Sequence, residues 1–193
     1  MAYYYNRIAA ITYALKWAQA RNSTVWPDFS SSAGGGGDCT NFISQCLYAG
    51  GWTMCYGPLG WYSWPKRAWD HSRSWTSADA FDDYIKRSGR ATPCGLEDLD
   101  IGDLISEEID GHGIRHWMMV TKESPQTGIS LSYHSTDYRN TSFQEMQQRV
   151  GTTNSLHYWK VLLFHPEDDR WSHVGQPYYD MQHLQNETPP PRS

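Results

Sequence analysis

The chain of 193 residues lacks several features that would assign it to common functional classes. It has no basic run, and its net charge of −5 argues against nucleic acid as a partner. No apolar run approaches the ~20 residues of a membrane-spanning helix, so we expect no membrane span. The N-terminus also lacks the basic start and apolar run of a secretory signal. We therefore expect a protein that acts in the cytoplasm, that is exported by a route needing no such signal, or whose leader lies outside this sequence.

Cysteine is scarce, and no two cysteines form the C-x-x-C pair of a zinc ribbon. The four are Cys39, Cys46, Cys55 and Cys94. If Cys39 is a free nucleophile, three remain, which favours a mostly reduced protein with at most one disulfide bond among them. A zinc site at His112 and His116 would need a helix, and the glycines on both sides of His112 disfavour one. We expect neither a metal nor a cofactor.

Phenylalanine is also scarce, with 5 residues against 10 Trp and 13 Tyr. Trp and Tyr combine an apolar body with a polar tip, which suits half-hydrated grooves. Residues 52–76 combine five tryptophans with glycine and proline, which predicts an irregular loop. This loop has two interpretations: a wall of a substrate groove, or a loop held on the core by its own tryptophans. Our candidates for groove residues are Trp61, Trp64 and Trp117.

Hydrophobic periodicity predicts helices in the first half of the chain and strands in the second half. Helices are predicted over residues 4–20, from Cys39 to about Ala49, and over residues 77–88. The inward face of the first contains Tyr4, Ile8, Ile11, Leu15 and Ala18. Strands are predicted after a turn in residues 96–105, then over 114–122, 129–135 and 156–165. This order predicts an α+β fold with an antiparallel sheet. Residues 1–166 would form one domain and residues 167–193 a polar, proline-containing, loosely ordered tail.

A run of four glycines, residues 34–37, leads into Asp38 and Cys39. Asp38 is a good N-cap, so Cys39 would occupy the first position of a helix. The positive end of the helix dipole would favour the thiolate there. One interpretation is therefore a cysteine nucleophile with an open approach. The other is a glycine-rich loop followed by a small buried cysteine.

A cysteine nucleophile needs a base and a group that orients the base. Of the eight histidines, His116 and His134 lie at ends of two consecutive predicted strands. Antiparallel strands joined by a short turn bring the start of one beside the end of the next. We predict His116 as the base, with His134 holding its other ring nitrogen, and Asp137 as the rival orienting group. The alternative is two histidines without a catalytic role.

Several segments together resemble the bacterial putative amidase domain family, which is related to NlpC-type cell-wall cysteine peptidases and, more distantly, to papain. The segments are 5–10, 37–47 and 49–51, followed in the family's order by 102–105, 116–121 and 134–137. The resemblance extends over about residues 4–165. It implies a papain-like fold in which a helix carrying a cysteine packs against the antiparallel sheet. It also implies Cys39 as nucleophile, His116 as base and His134 as orienting residue, with Asp38 and Asp137 as possible supporting groups.

The chain departs from the family at two positions near these residues. Relatives usually have an aspartate before the base histidine, where this chain has Arg115. Papain-like enzymes often take an oxyanion donor from a glutamine six residues before the cysteine, where this chain has Ala33. The backbone N–H of Cys39 is then the first candidate donor, and the second is unassigned.

The resemblance implies a cysteine amidase or peptidase that hydrolyses an amide bond through an acyl-enzyme on Cys39. The expected partner is a peptide or amide substrate, and the relatives suggest a peptidoglycan stem peptide. Two alternatives are open at this point. The same thioester could transfer its acyl group to an amine, or the domain could be a non-catalytic module that binds peptides or glycans and retains a relic dyad.

Overall fold

The computed structural model describes residues 3–30, 37–67, 70–151 and 154–165. The helices within these ranges are α1 (Arg7–Trp17), α2 (Cys39–Ala49), α3 (Arg73–Thr76), α4 (Ala78–Ser88) and α5 (Phe143–Val150). The strands are β1 (Tyr3–Tyr4), β2 (Ala91–Pro93), β3 (Leu104–Ile109), β4 (Gly113–Ser124), β5 (Gly128–Tyr133), β6 (Tyr138–Ser142), β7 (Asn154–Val161) and β8 (Phe164–His165). None of the helices in these ranges has the length and apolar character needed to cross a bilayer.

Six strands form one sheet in the order β2-β7-β3-β4-β5-β6, and β1 pairs separately with β8. Every pairing in the large sheet is antiparallel, which confirms the predicted α+β class. The register between β3 and β4 shifts at one point, where Glu107 pairs with His116 and Glu108 pairs with Ile114. Arg115 is therefore the extra residue of a β-bulge, a feature that re-aims side chains locally.

The two faces of the sheet are covered by different helices. Trp117 and Met119 belong to the apolar cluster shared with α1, α2 and α4. Met118 and Val120 belong to the second cluster, which includes Met146 of α5. Side chains alternate between the faces of a strand, so His116 shares the α5 face with Met118.

The buried face of helix α1 overlaps the predicted face only in part: Ala18 is buried and Ile11 packs against the core, as predicted. Its buried residues are Ala10, Tyr13, Ala14 and Trp17. Ile8, predicted to face inward, is 60% exposed. The buried stripe also has helical spacing, and its two alanines let the helix pack closely. The Tyr13 hydroxyl donates to Gln45 Oε1 of α2 at 2.7 Å, which gives the buried aromatic face a polar partner.

The tryptophans of residues 52–76 that the structure describes mostly belong to the core. Trp52, Trp61 and Trp75 are at most 1% exposed. Trp61 Nε1 donates to Ser44 Oγ at 3.0 Å, which fixes the ring against α2. The loop is thus held on the core by its own tryptophans, as the second interpretation predicted.

Two of the three predicted groove residues are therefore corrected. Trp61 and Trp117 are both 0% exposed and cannot contact a substrate. Trp117 Nε1 donates to the Ala78 carbonyl at 3.0 Å, so its polar tip is also turned into the protein. Trp64 is half-buried and packs against Tyr56 at 5.8 Å between ring centroids.

The sequence analysis missed five elements, β1, β2, β6, α3 and α5. Helix α5 carried a readable signal, because Ser142 and Glu145 form a capping box at its start. The predicted helix over residues 77–88 is observed as α4 and ends at Gly89 with φ +66°. All four cysteines are free thiols. The predicted tail, residues 167–193, lies outside the described residues.

Candidate active site

A buried carboxylate organises the start of α2. The helix begins at Cys39 and Asp38 is its N-cap residue, as predicted, but the Asp38 side chain makes no capping hydrogen bond. Its carboxylate is fully buried and has four partners from different parts of the chain. These are the Phe29 N–H at 3.2 Å, Asn41 Nδ2 at 2.8 Å, His134 Nδ1 at 2.8 Å and Arg21 Nε at 3.0 Å.

His134 is one of these partners and is only 2% exposed. Its Nε2 lies 3.0 Å from the Trp17 carbonyl oxygen, and its ring stacks on Phe42 at 4.0 Å between centroids. A carboxylate and a carbonyl only accept hydrogen bonds, so each ring nitrogen of His134 faces an acceptor. His134 therefore joins α1, α2 and the end of β5.

The predicted hydrogen bond between His134 and His116 is not formed, because both ring nitrogens of His134 bind other groups. Asp137, the rival orienting group, is also engaged elsewhere. Its two carboxylate oxygens accept from Arg21 Nη1 at 3.1 Å and Nη2 at 2.9 Å. Arg21 thus links Asp137 to Asp38. The sequence analysis did not single out Arg21, and local pattern offered no signal for it.

The Cys39 thiol is 1% exposed and lies against the backbone of β4. Its Sγ donates to the Arg115 carbonyl at 3.9 Å and lies 3.7 Å from Thr40 Oγ1. Burial raises the pKa of the Cys39 thiol, and this outweighs hydrogen bonds from Thr40, the Trp117 N–H and Ser135 that lower it. The protein therefore holds a neutral thiol, whereas the helix dipole alone predicted a thiolate.

The His116 ring packs edge-on against Tyr133, with 5.0 Å between centroids. Burial lowers the pKa of His116 to about 4, while Glu107 acts to raise it and Arg115 to lower it. The imidazole is therefore neutral at pH 7. Cys39 approaches β4 from the α2 side at the two residues that flank His116. Within the described residues, no hydrogen bond joins Cys39 to His116.

A cavity of about 790 Å³ lies over this region. Gly37, Asp38, Arg115, His116 and Ser135 are among the residues that line it. His116 is the only histidine among the described lining residues. The cavity therefore extends from the start of α2 around the start of β4 to the His116 ring.

Ser135 is a further site residue that the sequence analysis missed. It is exposed in this cavity, and its hydroxyl is near enough to the Cys39 sulfur to act to lower the pKa of the thiol. Its φ of +83° is unusual for a residue with a side chain and often occurs at functional sites. Gly37 also has a positive φ, +62°, and a Cβ there would collide with Ser135 Oγ. The available signal for Ser135 in the sequence was its position directly after His134.

The sequence analysis placed Ala33 and the glycines at 34–36 on the approach to Cys39, and these residues lie outside the described residues. Within the described ranges, no group of three or more His, Cys, Asp or Glu side chains has an arrangement that could hold a metal ion.

The pKa of His116 predicts a pH-dependent stability. An unfolded histidine has a pKa near 6.5, so between pH 6.5 and about 4 the folded state binds fewer protons than the unfolded state. Stability therefore falls as pH falls through this window, by up to about 3 kcal/mol. Between pH 7.5 and 4, the free energy of unfolding should therefore fall further in the parent than in the His116→Asn variant. The expected difference between the two decreases is about 3 kcal/mol. Urea unfolding at both pH values measures this difference.

The control for this prediction is His112→Asn, which changes an exposed histidine in a turn. It should retain the pH dependence of the parent. Identical pH dependence in the parent and His116→Asn would contradict the assignment of this stability change to His116.

Comparisons of the sequence with known proteins identify the family of the chain. The chain is 28% identical over 172 residues to a Bacillus subtilis (strain 168) protein described as Uncharacterized protein YhbB. The aligned region covers 87% of this chain and 52% of that protein, so the chain spans about half the length of this relative. No solved structure matches the chain. The family model described as Putative amidase domain matches residues 4–159, which include Cys39, His116 and His134. The chain therefore belongs to the putative amidase domain family.

Proposed function

We propose that the protein is a cysteine amidase that hydrolyses a peptide amide through an acyl-enzyme on Cys39. One arrangement carries this proposal. Cys39 is the first residue of α2, and its sulfur lies against Arg115 and Ser135, both of which line the cavity that contains His116. A helix N-terminus beside a cavity with a histidine is suited to a cysteine nucleophile.

In the proposed reaction, Cys39 Sγ attacks the amide carbonyl carbon and its proton passes to His116. The imidazole is neutral at pH 7 and can accept this proton, but its ring must first turn away from Tyr133. His116 then protonates the leaving amine, and water hydrolyses the thioester. The Cys39 N–H and the Ser135 hydroxyl are the proposed donors to the oxyanion. This assigns the second donor that the sequence left open.

We extend the proposal to bacterial cell-wall stem peptides as substrates and to a papain-like arrangement of the domain. Both extensions rest on the resemblance of segments 37–47 and 116–121 to cell-wall cysteine peptidases. The α+β class and a cysteine helix packed against an antiparallel sheet are compatible with them.

A second candidate function is a peptide-binding module without catalysis. The neutral thiol, the neutral imidazole and their separate positions favour it, because an active dyad often exists as an ion pair. The two candidates predict different chemical outcomes for a bound peptide.

Product analysis tests the proposal. The protein is incubated with purified stem peptides and with defined peptide amides, and the mixtures are examined by mass spectrometry. We expect two fragments whose summed mass exceeds that of the peptide by one water. An added amine yields a conjugate if the thioester transfers its acyl group instead. Unchanged peptides throughout would favour the binding module and contradict the amidase.

A further inference from the structure

Three arginines and three carboxylates line the cavity next to Cys39, and most of them are paired. The arginines are Arg21, Arg115 and Arg149, and the acids are Asp38, Glu107 and Asp137. Arg21 binds both Asp38 and Asp137. Glu107 accepts a hydrogen bond from Asn154 Nδ2 at 2.6 Å. Arg149 lies 3.9 Å from the centroid of the Tyr138 ring and donates to Thr141.

Arg115 differs from the other two arginines. It is exposed, and within the described residues its guanidinium has no ion pair or hydrogen bond. Two of the carboxylates, Asp38 and Asp137, pair with Arg21, and Glu107 accepts a hydrogen bond from the Asn154 amide. Arg115 is therefore the cavity arginine whose guanidinium makes no hydrogen bond or ion pair with the described residues.

This cation is close to the reacting atoms. The carbonyl of Arg115 accepts the hydrogen bond from the Cys39 thiol, and the next residue is His116. The β-bulge makes Arg115 the extra residue of the strand. A side chain that starts beside the sulfur can reach a group one or two residues from the attacked carbonyl, at about 3.5 Å per residue of extended peptide.

The chemistry of the guanidinium selects the ligand. Its planar fork matches a carboxylate with two parallel hydrogen bonds, and the charge assists both. We infer that Arg115 is a carboxylate-binding subsite, and that the substrates of the proposed amidase are acidic peptides with a carboxylate one or two residues from the scissile amide. This inference rests on the proposed function. Binding an anion there would also compensate the positive charge that lowers the pKa of His116, which makes the imidazole a stronger base.

A pair of alkylating reagents tests the subsite without a known substrate. Iodoacetate and iodoacetamide have similar size and differ in charge. Their rates at each cysteine are measured by peptide mapping, with the half-buried Cys94 as internal reference. We expect the rate ratio of iodoacetate to iodoacetamide at Cys39 to exceed that at Cys94 by about tenfold, the effect of one charge-assisted contact.

Variants of Arg115 assign the effect. Arg115→Ala should bring the ratio at Cys39 down to that at Cys94, and Arg115→Lys should retain part of the excess, because the charge remains without the planar fork. Arg139→Ala, which removes an exposed arginine outside the cavity lining, should leave the ratio unchanged. A ratio at Cys39 that is the same in the parent and Arg115→Ala overturns the inference.

A binding experiment separates failure of this inference from failure of the proposed function. The Cys39→Ala protein is titrated with N-acetyl dipeptide amides that end in glutamate or glutamine, with calorimetric detection. We expect about tenfold tighter binding of the glutamate peptide, and loss of this preference when Arg115→Ala is added. Equal affinities, or no measurable binding of either peptide, overturn the inference. A Cys39 that reacts with neither alkylating reagent counts against the proposed function alone, and the titration then decides the inference.

Discussion

Cys39→Ala is expected to lower kcat/KM for amide hydrolysis by roughly 10⁴-fold or more, because the acyl-enzyme cannot form without the sulfur. The fold should persist. Cys39 is buried, but the change removes one sulfur atom and leaves the Asp38 contacts in place, so the free energy of unfolding should fall by only about 1 kcal/mol. Steady-state kinetics and urea unfolding of the purified variant measure the two effects.

The matched control is Cys94→Ala, which removes a half-buried thiol far along the chain from the site. It should hydrolyse the substrate at the rate of the parent. Turnover by Cys39→Ala at the parental rate would be incompatible with the acyl-enzyme mechanism.

Asp38→Ala is expected to destabilise the protein by about 3–5 kcal/mol, the usual cost of removing one partner of a buried ion pair. The substitution leaves His134 and Arg21 without their shared buried anion. It also removes the acceptor of the Phe29 N–H and of the Asn41 amide. Unfolding in urea, followed by tryptophan fluorescence, measures the loss.

A suitable control is Asp83→Ala on α4, where the carboxylate is exposed and a change within about 0.5 kcal/mol is expected. The Asp38→Ala variant should also lose activity at urea concentrations at which it is still folded. The reason is that the buried Asp38 side chain fixes the backbone directly before Cys39. A loss of stability below about 1 kcal/mol would show that solvent or relaxation replaces the four contacts.

Where local signals were strong, the sequence predicted the elements well. The end of α4 follows from Gly89, because a left-handed glycine acts within one turn of a helix. The start of α2 at Cys39 was also predicted correctly, although the Asp38 carboxylate makes no capping hydrogen bond. The pairing of β4 with β5 was also predictable, because a short turn joins the two strands. This antiparallel pairing brings the start of β4 towards the end of β5.

The buried face of α1 needed the tertiary structure. Two stripes of this helix have helical spacing, one with Ile8 and one with Tyr13 and Trp17. Period alone does not choose between them. The choice depends on which stripe packs against α2 and offers Tyr13 a hydrogen-bond partner, and that partner, Gln45, is 32 residues away.

The same applies to the tryptophans and to the histidines. Composition does not distinguish a core tryptophan such as Trp61 from one that faces a groove. Trp61 can be buried because the Ser44 hydroxyl accepts a hydrogen bond from its indole N–H. His134 was predicted to bind the ring of His116, but its partners are Asp38 and Trp17, which come from segments about a hundred residues earlier.

The sequence by itself determined the α+β class, the helix start at Cys39, and a region where a thiol and two histidines gather. These features depend on interactions between residues that are close along the chain or joined by one turn. The tertiary structure decided the roles within that region: a neutral thiol instead of a thiolate, His134 bound to Asp38 instead of His116, and an Arg115 guanidinium with no ion pair among the residues that the structure describes. These roles depend on burial and on contacts between distant segments, and desolvation and long-range pairing exist only once the helices have packed on the sheet.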